Sequence, residues 1–142
     1  MRIGLYSELA RRHIASAQRR AAASGLSMRC FRQEILQDRD SPEAKELLRW
    51  PEFYSASGCR DLLFHVNERR FTIPEIQEFL ENHDLKFLGF LFRSHQILRQ
   101  YQSAFPAETT TDLSCWHRFE TDYPDTFRHL YCFHCQKPPA AA

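Results

Sequence analysis

Three small groups of residues in this 142-residue chain carry side chains able to do chemistry. The first is Arg60, Asp61, His65 and Glu68. On a helix covering 59–66, Asp61 and His65 stand four residues apart on one face, where a carboxylate would choose the imidazole tautomer or raise its pKa. A histidine so backed can relieve an oxygen or nitrogen nucleophile of its proton once a substrate is held in line. The alternative is local: Asp61 caps the segment and His65 packs. The second group is Tyr6, Ser7 and Glu8, directly after the apolar run "RIGLY". Either Ser7 caps a helix whose first turn Glu8 charge-balances, or Tyr6 and Glu8, with Arg60, line a pocket for a substrate. The third is Cys132-Phe133-His134-Cys135, which has zinc-like spacing. On a strand, however, residues three apart point to opposite faces, so the two sulfurs do not converge and no metal site is expected.

These groups need elements to hold them. Residues 2–6 read as a strand, and the helix after it, with Leu9, Ile14, Ala17 and Ala21 at helical spacing, runs to Ser24 and stops at Gly25. A helical insertion occupies 26–71: one helix over Ser27–Gln37, another opened by Ser41-Pro42, then a short piece and a turn before Phe71. Thr72-Ile73-Pro74-Glu75 is a capping box that starts a helix over 73–83, with Ile76, Phe79, Leu80 and His83 on one face. "LKFLGFLF" is apolar at nearly every position, which predicts a strand over 86–92 covered on both sides. Helices over 94–122, broken at Pro106, precede a last strand at 129–136, and 138–142 is expected to fray as a disordered tail. The sum is three strands and several helices in one domain, 1–137. A sheet of three strands is short of the usual complement.

Composition narrows the partners. Nineteen basic and eighteen acidic residues leave a formal charge of +1, so no strong field favours nucleic acid or anionic lipid. The pairs Arg11-Arg12 and Arg19-Arg20 read as a solvated helix face. No stretch approaches the ~20 apolar residues of a membrane span, and the N-terminus lacks signal-peptide order. Five cysteines, odd in number and scattered, suit reduced thiols and a cytoplasmic location.

The segments "MRIGLYSELARR", "FYSASGCRDLLFHVNERRFTIPEIQEFLENHDLKFLGF" and "DTFRHLYCFHCQK" resemble the C-terminal part of a class I S-adenosylmethionine-dependent methyltransferase, as found in bacterial methyltransferase-domain proteins. The middle phrase, long and unusual, carries most of the specificity. The resemblance implies an α/β fold: part of a doubly wound, Rossmann-like sheet of seven strands. Residues 2–6 would be the fifth strand, 86–92 the sixth, and 129–136 an antiparallel seventh inserted between them. Met1 would then be an internal methionine used as a start.

The resemblance also implies S-adenosylmethionine as methyl donor, but the family's glycine-rich turn and ribose-binding acid lie on its first two strands. Gly4, Gly25, Gly58 and Gly89 are too scattered to build that loop. The chain is therefore expected to be inactive alone and to need the cofactor-binding half, or to pair with itself through its first strand; the methyl acceptor is unnamed. His65 and Asp61 would be the catalytic pair, and Tyr6, Glu8 and Arg60 would meet the acceptor. The competing reading is a non-catalytic orphan module for interaction or oligomerisation.

Overall fold

A computed structural model describes residues 1–65 and 68–138. They form two compact units, one of Arg11–Glu68 and one of Met1–Ala10 with the chain from Arg69 onward, each with its own apolar core. The tail reading at 138–142 falls, beyond Pro138, outside the described residues.

The Arg11–Glu68 unit is helical: α1 (Arg12–Ser24), α2 (Met28–Gln37), α3 (Pro42–Leu48), a 3-10 turn (Pro51–Tyr54) and α4 (Ala56–Leu63). Its starts follow the capping logic of the sequence. Ser27 Oγ accepts from the Cys30 amide at 3.3 Å, Ser41 Oγ from Ala44 at 3.2 Å and Ser55 Oγ from Gly58 at 3.0 Å. Gly25, at φ 64°, closes α1 in the left-handed conformation. Ile14, Ala17 and Ala21 pack with Phe31, Ile35, Leu47, Phe53 and Cys59. Beside them Arg11 makes a two-pronged ion pair with Glu68, at 2.9 and 2.7 Å, and its guanidinium lies 5.2 Å from the Trp50 ring centre.

Two expectations need correction in this unit. The first helix does not begin at Ser7: residues 8–11 form a turn and α1 starts at Arg12. Ser7 Oγ does accept from the Ala10 amide at 3.0 Å, as a cap would, but the backbone continues as a turn through residue 11. The short helix placed at 59–66 is α4, which ends at Leu63 with Phe64 as its cap at φ −122°, ψ 7°. Residues 66 and 67 lie outside the described residues.

The second unit contains β1 (Arg2–Ser7), β2 (Arg70–Phe71), α5 (Ile73–Asn82), β3 (Lys86–Phe90), α6 (His95–Ala104), α7 (Leu113–Asp122) and β4 (Tyr131–Gln136). The capping box is present as read: Thr72 Oγ1 accepts from Glu75 N at 3.4 Å and Glu75 Oε2 accepts from Thr72 N at 2.7 Å. With seven helices and a four-stranded mixed sheet among the described residues, the protein is α/β. The sheet has a fourth strand beyond the three expected, because two-residue β2 has no periodicity to read.

Strand order is β2-β1-β4-β3. β4 runs antiparallel to both neighbours, with Leu5 opposite Tyr131, Ile3 opposite Phe133 and Phe90 also opposite Phe133. β1 and β3 are therefore parallel to each other, with β4 between them. β2 pairs parallel with β1 only through Tyr6–Arg70 and Ser7–Phe71; along Arg2–Leu5 no further strand lies on that side among the described residues.

One face of the sheet is covered. Phe87, Phe90, Tyr131, Phe133 and Cys135 are buried in a core shared with α5, α6 and α7, where Tyr101 stacks on Trp116 at 3.8 Å between centroids. The loop before α7 is tied to this core by Tyr101 OH on the Thr109 carbonyl and Trp116 Nε1 on that of Thr110. Arg2, Gly4, Tyr6, Leu88, His134 and Gln136 are exposed, so the two-sided burial expected for 86–92 is corrected to one-sided. A bulge between Phe87 and Gly89 lets both Phe87 and Phe90 face inward, with Gly89 at φ 129°. Phe79, expected inside α5, is 44% exposed and lies against His83.

Candidate functional site

Because β1 and β3 are parallel and β4 is reversed, the carboxyl ends of β1 and β3 meet the amino end of β4 at one end of the sheet. In open α/β sheets ligands bind outside that end. The residues delivered there are Tyr6, Ser7 and Glu8 from β1 and the turn after it, Leu91 and Phe92 after β3, and Leu130 and Tyr131 at the start of β4.

Alternation along β1 splits Tyr6 from Ser7. Tyr6 is 38% exposed, whereas Ser7 turns inward and is fully buried. Ser7 Oγ donates to Glu120 Oε1 at 2.6 Å, and Tyr131 OH lies 2.7 Å from each Glu120 oxygen. Strands β1 and β4 and helix α7 are thus joined through a single carboxyl group that is 2% exposed. Burial raises the Glu120 pKa, and the hydrogen bonds from Ser7 and Tyr131 oppose that rise without cancelling it. Burial, then the neighbouring carboxylate, pushes the Tyr131 phenol up as well.

Serine, glutamate and tyrosine in one network suggest nucleophile chemistry, but the geometry excludes it here. The serine hydroxyl is sealed from solvent and its proton is held by a carboxylate with no imidazole between them. What the network does is fix the carboxyl end of β1, and with it the direction in which Tyr6 and Glu8 leave the sheet. Glu8 is exposed, and its amide donates to the Phe71 carbonyl at 2.9 Å.

Glu120 is not among the site residues expected from the sequence. A signal was there: with Leu113 and Trp116 it occupies positions i, i+3 and i+7, so a carboxylate stands on the apolar face of α7.

The other expected site residues lie in the helical unit. Arg60 sits in the last turn of α4, exposed, where a cation complements the helix dipole. Asp61 and His65 are both exposed, and no hydrogen bond or ion pair joins them among the described residues. The i to i+4 pairing required helix through residue 65, and α4 ends two residues earlier. Glu68 instead serves Arg11. Cys132 and Cys135 do stand on opposite faces of β4, the first half-buried and the second fully buried in the core.

The residues present do not fit the methyl donor. Gly25 caps a helix, Gly4 and Gly89 lie within strands, and Gly58 is inside α4, where an added Cβ would come 2.5 Å from the Glu52 carbonyl oxygen. None occupies a strand-to-helix turn at the carboxyl end of a strand, where backbone must approach such a ligand closely. No helix among the described residues is long and apolar enough to cross a membrane. In comparisons with known proteins, no family model, no curated protein and no solved structure matches the chain.

Proposed function

We propose that this chain is the acceptor-side portion of an S-adenosylmethionine-dependent methyltransferase, part of a Rossmann-like sheet, which transfers a methyl group when completed by a half that binds the donor. The observation that carries this reading is the reversal of β4 between two mutually parallel strands. That is the arrangement the sequence resemblance implied for a fifth, seventh and sixth strand. The outer edge of β1, unpaired along Arg2–Leu5 among the described residues, offers a place where the rest of such a sheet would hydrogen-bond. Tyr6 and Glu8 would face the acceptor from the end of β1. Arg60, Asp61 and His65 are separate exposed groups of the helical unit, where Asp61 does not back the imidazole, and no part in an acceptor site is built on them.

Calorimetric titration of S-adenosylmethionine tests the proposal on two proteins: this chain, and a version extended by the coding sequence in frame upstream of Met1. The extended protein is expected to bind the donor and this chain is not. An extension that lacks a strand followed by a glycine-rich turn, or that takes up no donor, refutes the reading. The same open edge favours a second, non-catalytic reading, in which two copies pair β1 to β1 about a twofold axis. Light scattering decides that one: a monomer at high concentration rules it out.

A further inference from the structure

We propose that the cavity at the carboxyl end of β3 binds a small organic acid with an apolar body. The cavity measures about 350 Å³ and lies entirely within the sheet unit, between the segment after β3 and the turn before β4. That volume is at the small end of the range for ligand pockets, roughly 300–1,000 Å³.

Its lining divides by chemistry. Phe92, Ile97 and Phe127 supply an apolar floor, anchored because Phe92 and Phe127 also contact Trp116 in the core. Arg2 and Arg93 bring guanidinium donors to the rim, with His129 beside them, and no carboxylate lines the cavity among the described residues. In a chain with nearly equal numbers of acids and bases, a lining with two arginines and no acid is a local choice of sign.

The two arginines differ in how they are held. Arg2 reaches across from β1 and donates from Nε to Cys132 Sγ at 3.1 Å, which fixes its guanidinium beside the cavity. Arg93 makes no hydrogen bond or ion pair among the described residues, so its donors are available to a ligand. A planar guanidinium matches a carboxylate through two parallel hydrogen bonds, and such a pair above an apolar floor selects a molecule with one anionic head and a compact hydrocarbon body. A neutral molecule of the same shape would fill the floor and leave Arg93 unused. The inference does not rest on methyl transfer, because it concerns binding to these residues alone.

The test uses the intact chain and three probes of one head group, benzoate, 2-naphthoate and decanoate, with 2-naphthamide as the neutral counterpart. Calorimetry should show saturable binding of at least one acid, weakened about tenfold by Arg93→Gln, while the amide binds more weakly than 2-naphthoate and is unaffected by that change. Arg93 is exposed, so the variant is expected to keep its circular dichroism spectrum. Location is read from a thiol: a bound acid should slow iodoacetamide alkylation at Cys132, which lines the cavity, and leave exposed Cys30 unchanged. The proposal is overturned if none of the acids binds, if Arg93→Gln leaves acid affinity unaltered, or if binding protects Cys30 and Cys132 alike.

Discussion

Replacing Tyr131 by Phe removes one oxygen from the middle of the Ser7–Glu120–Tyr131 network and leaves the ring in place among Phe90 and Phe127. The lost hydroxyl donates to a carboxylate at 2.7 Å from both oxygens, at a site where no solvent can substitute. A hydrogen bond to a charged group contributes about 1.5–3 kcal/mol, and one between neutral groups about 1 kcal/mol. The cost of the substitution therefore depends on the charge of Glu120. Burial raises its pKa above the usual 4.5, so the folded protein holds this proton more tightly than the unfolded chain. Stability from that difference is full below the unfolded value and is lost as pH rises through the higher folded one. Without Tyr131 OH the ionised form loses a stabilising partner and the folded pKa climbs further, so the deficit of the variant must widen as pH increases. Urea unfolding at pH 4 and pH 8, followed by Trp116 fluorescence in a Trp50→Phe background, reads the surroundings of the network in the sheet unit. The expected deficit is about 1 kcal/mol at pH 4 and about 2–3 kcal/mol at pH 8. An equal deficit at both values, or one smaller at pH 8, refutes the assignment of Glu120 as a buried carboxylate held by two hydroxyls.

Glu68→Gln leaves the Arg11 guanidinium buried without its counter-charge and should destabilise the helical unit by about 3 kcal/mol, read through Trp50 fluorescence in a Trp116→Phe background. Thr72→Ala removes the capping box and should cost about 1 kcal/mol at neutral pH. The Thr72 backbone and hydroxyl hold the Glu75 pKa below its usual value, so that contribution is present above about pH 4.5 and is lost as pH falls through the lower folded value; the variant's deficit should shrink in acid. Gly89→Ala places a side chain at φ 129°, and thermal unfolding should show a loss of about 1–3 kcal/mol although no atom lies within 4 Å of the added methyl.

Much of the local architecture was legible because its causes are local. Thr72 and Glu75 are three residues apart, so their reciprocal bonds follow from the helix start alone. Gly25 stops α1, and Phe31 and Ile35 turn inward, for similarly short-range reasons. The failures share a cause of the opposite kind. Ser7 reads as a helix cap, and its oxygen does accept from the Ala10 amide, but its buried bond to Glu120, 113 residues away, is beyond any local pattern. His65 reads as the partner of Asp61 only if α4 continues past Leu63, and the helix ends there with Phe64 as its cap, an endpoint that spacing does not reveal. Phe79 fits the apolar face by period, but the sheet-unit core is filled by rings from α6, α7 and β4.

Sequence by itself determined the α/β class, the starts of α2, α3 and α5, the stop of α1 at Gly25, and the divergence of Cys132 and Cys135, since each follows from the period of a strand or helix and from capping chemistry within a few residues. Tertiary structure alone decided that β2 exists, that one face of β3 is exposed, that Glu120 is the buried carboxyl tying β1 to β4 and α7, and that Arg2 and Arg93 border one cavity. Those outcomes depend on which distant segments are brought together. Their energy comes from desolvation and from hydrogen bonds across the fold, neither of which is present until the strands have paired.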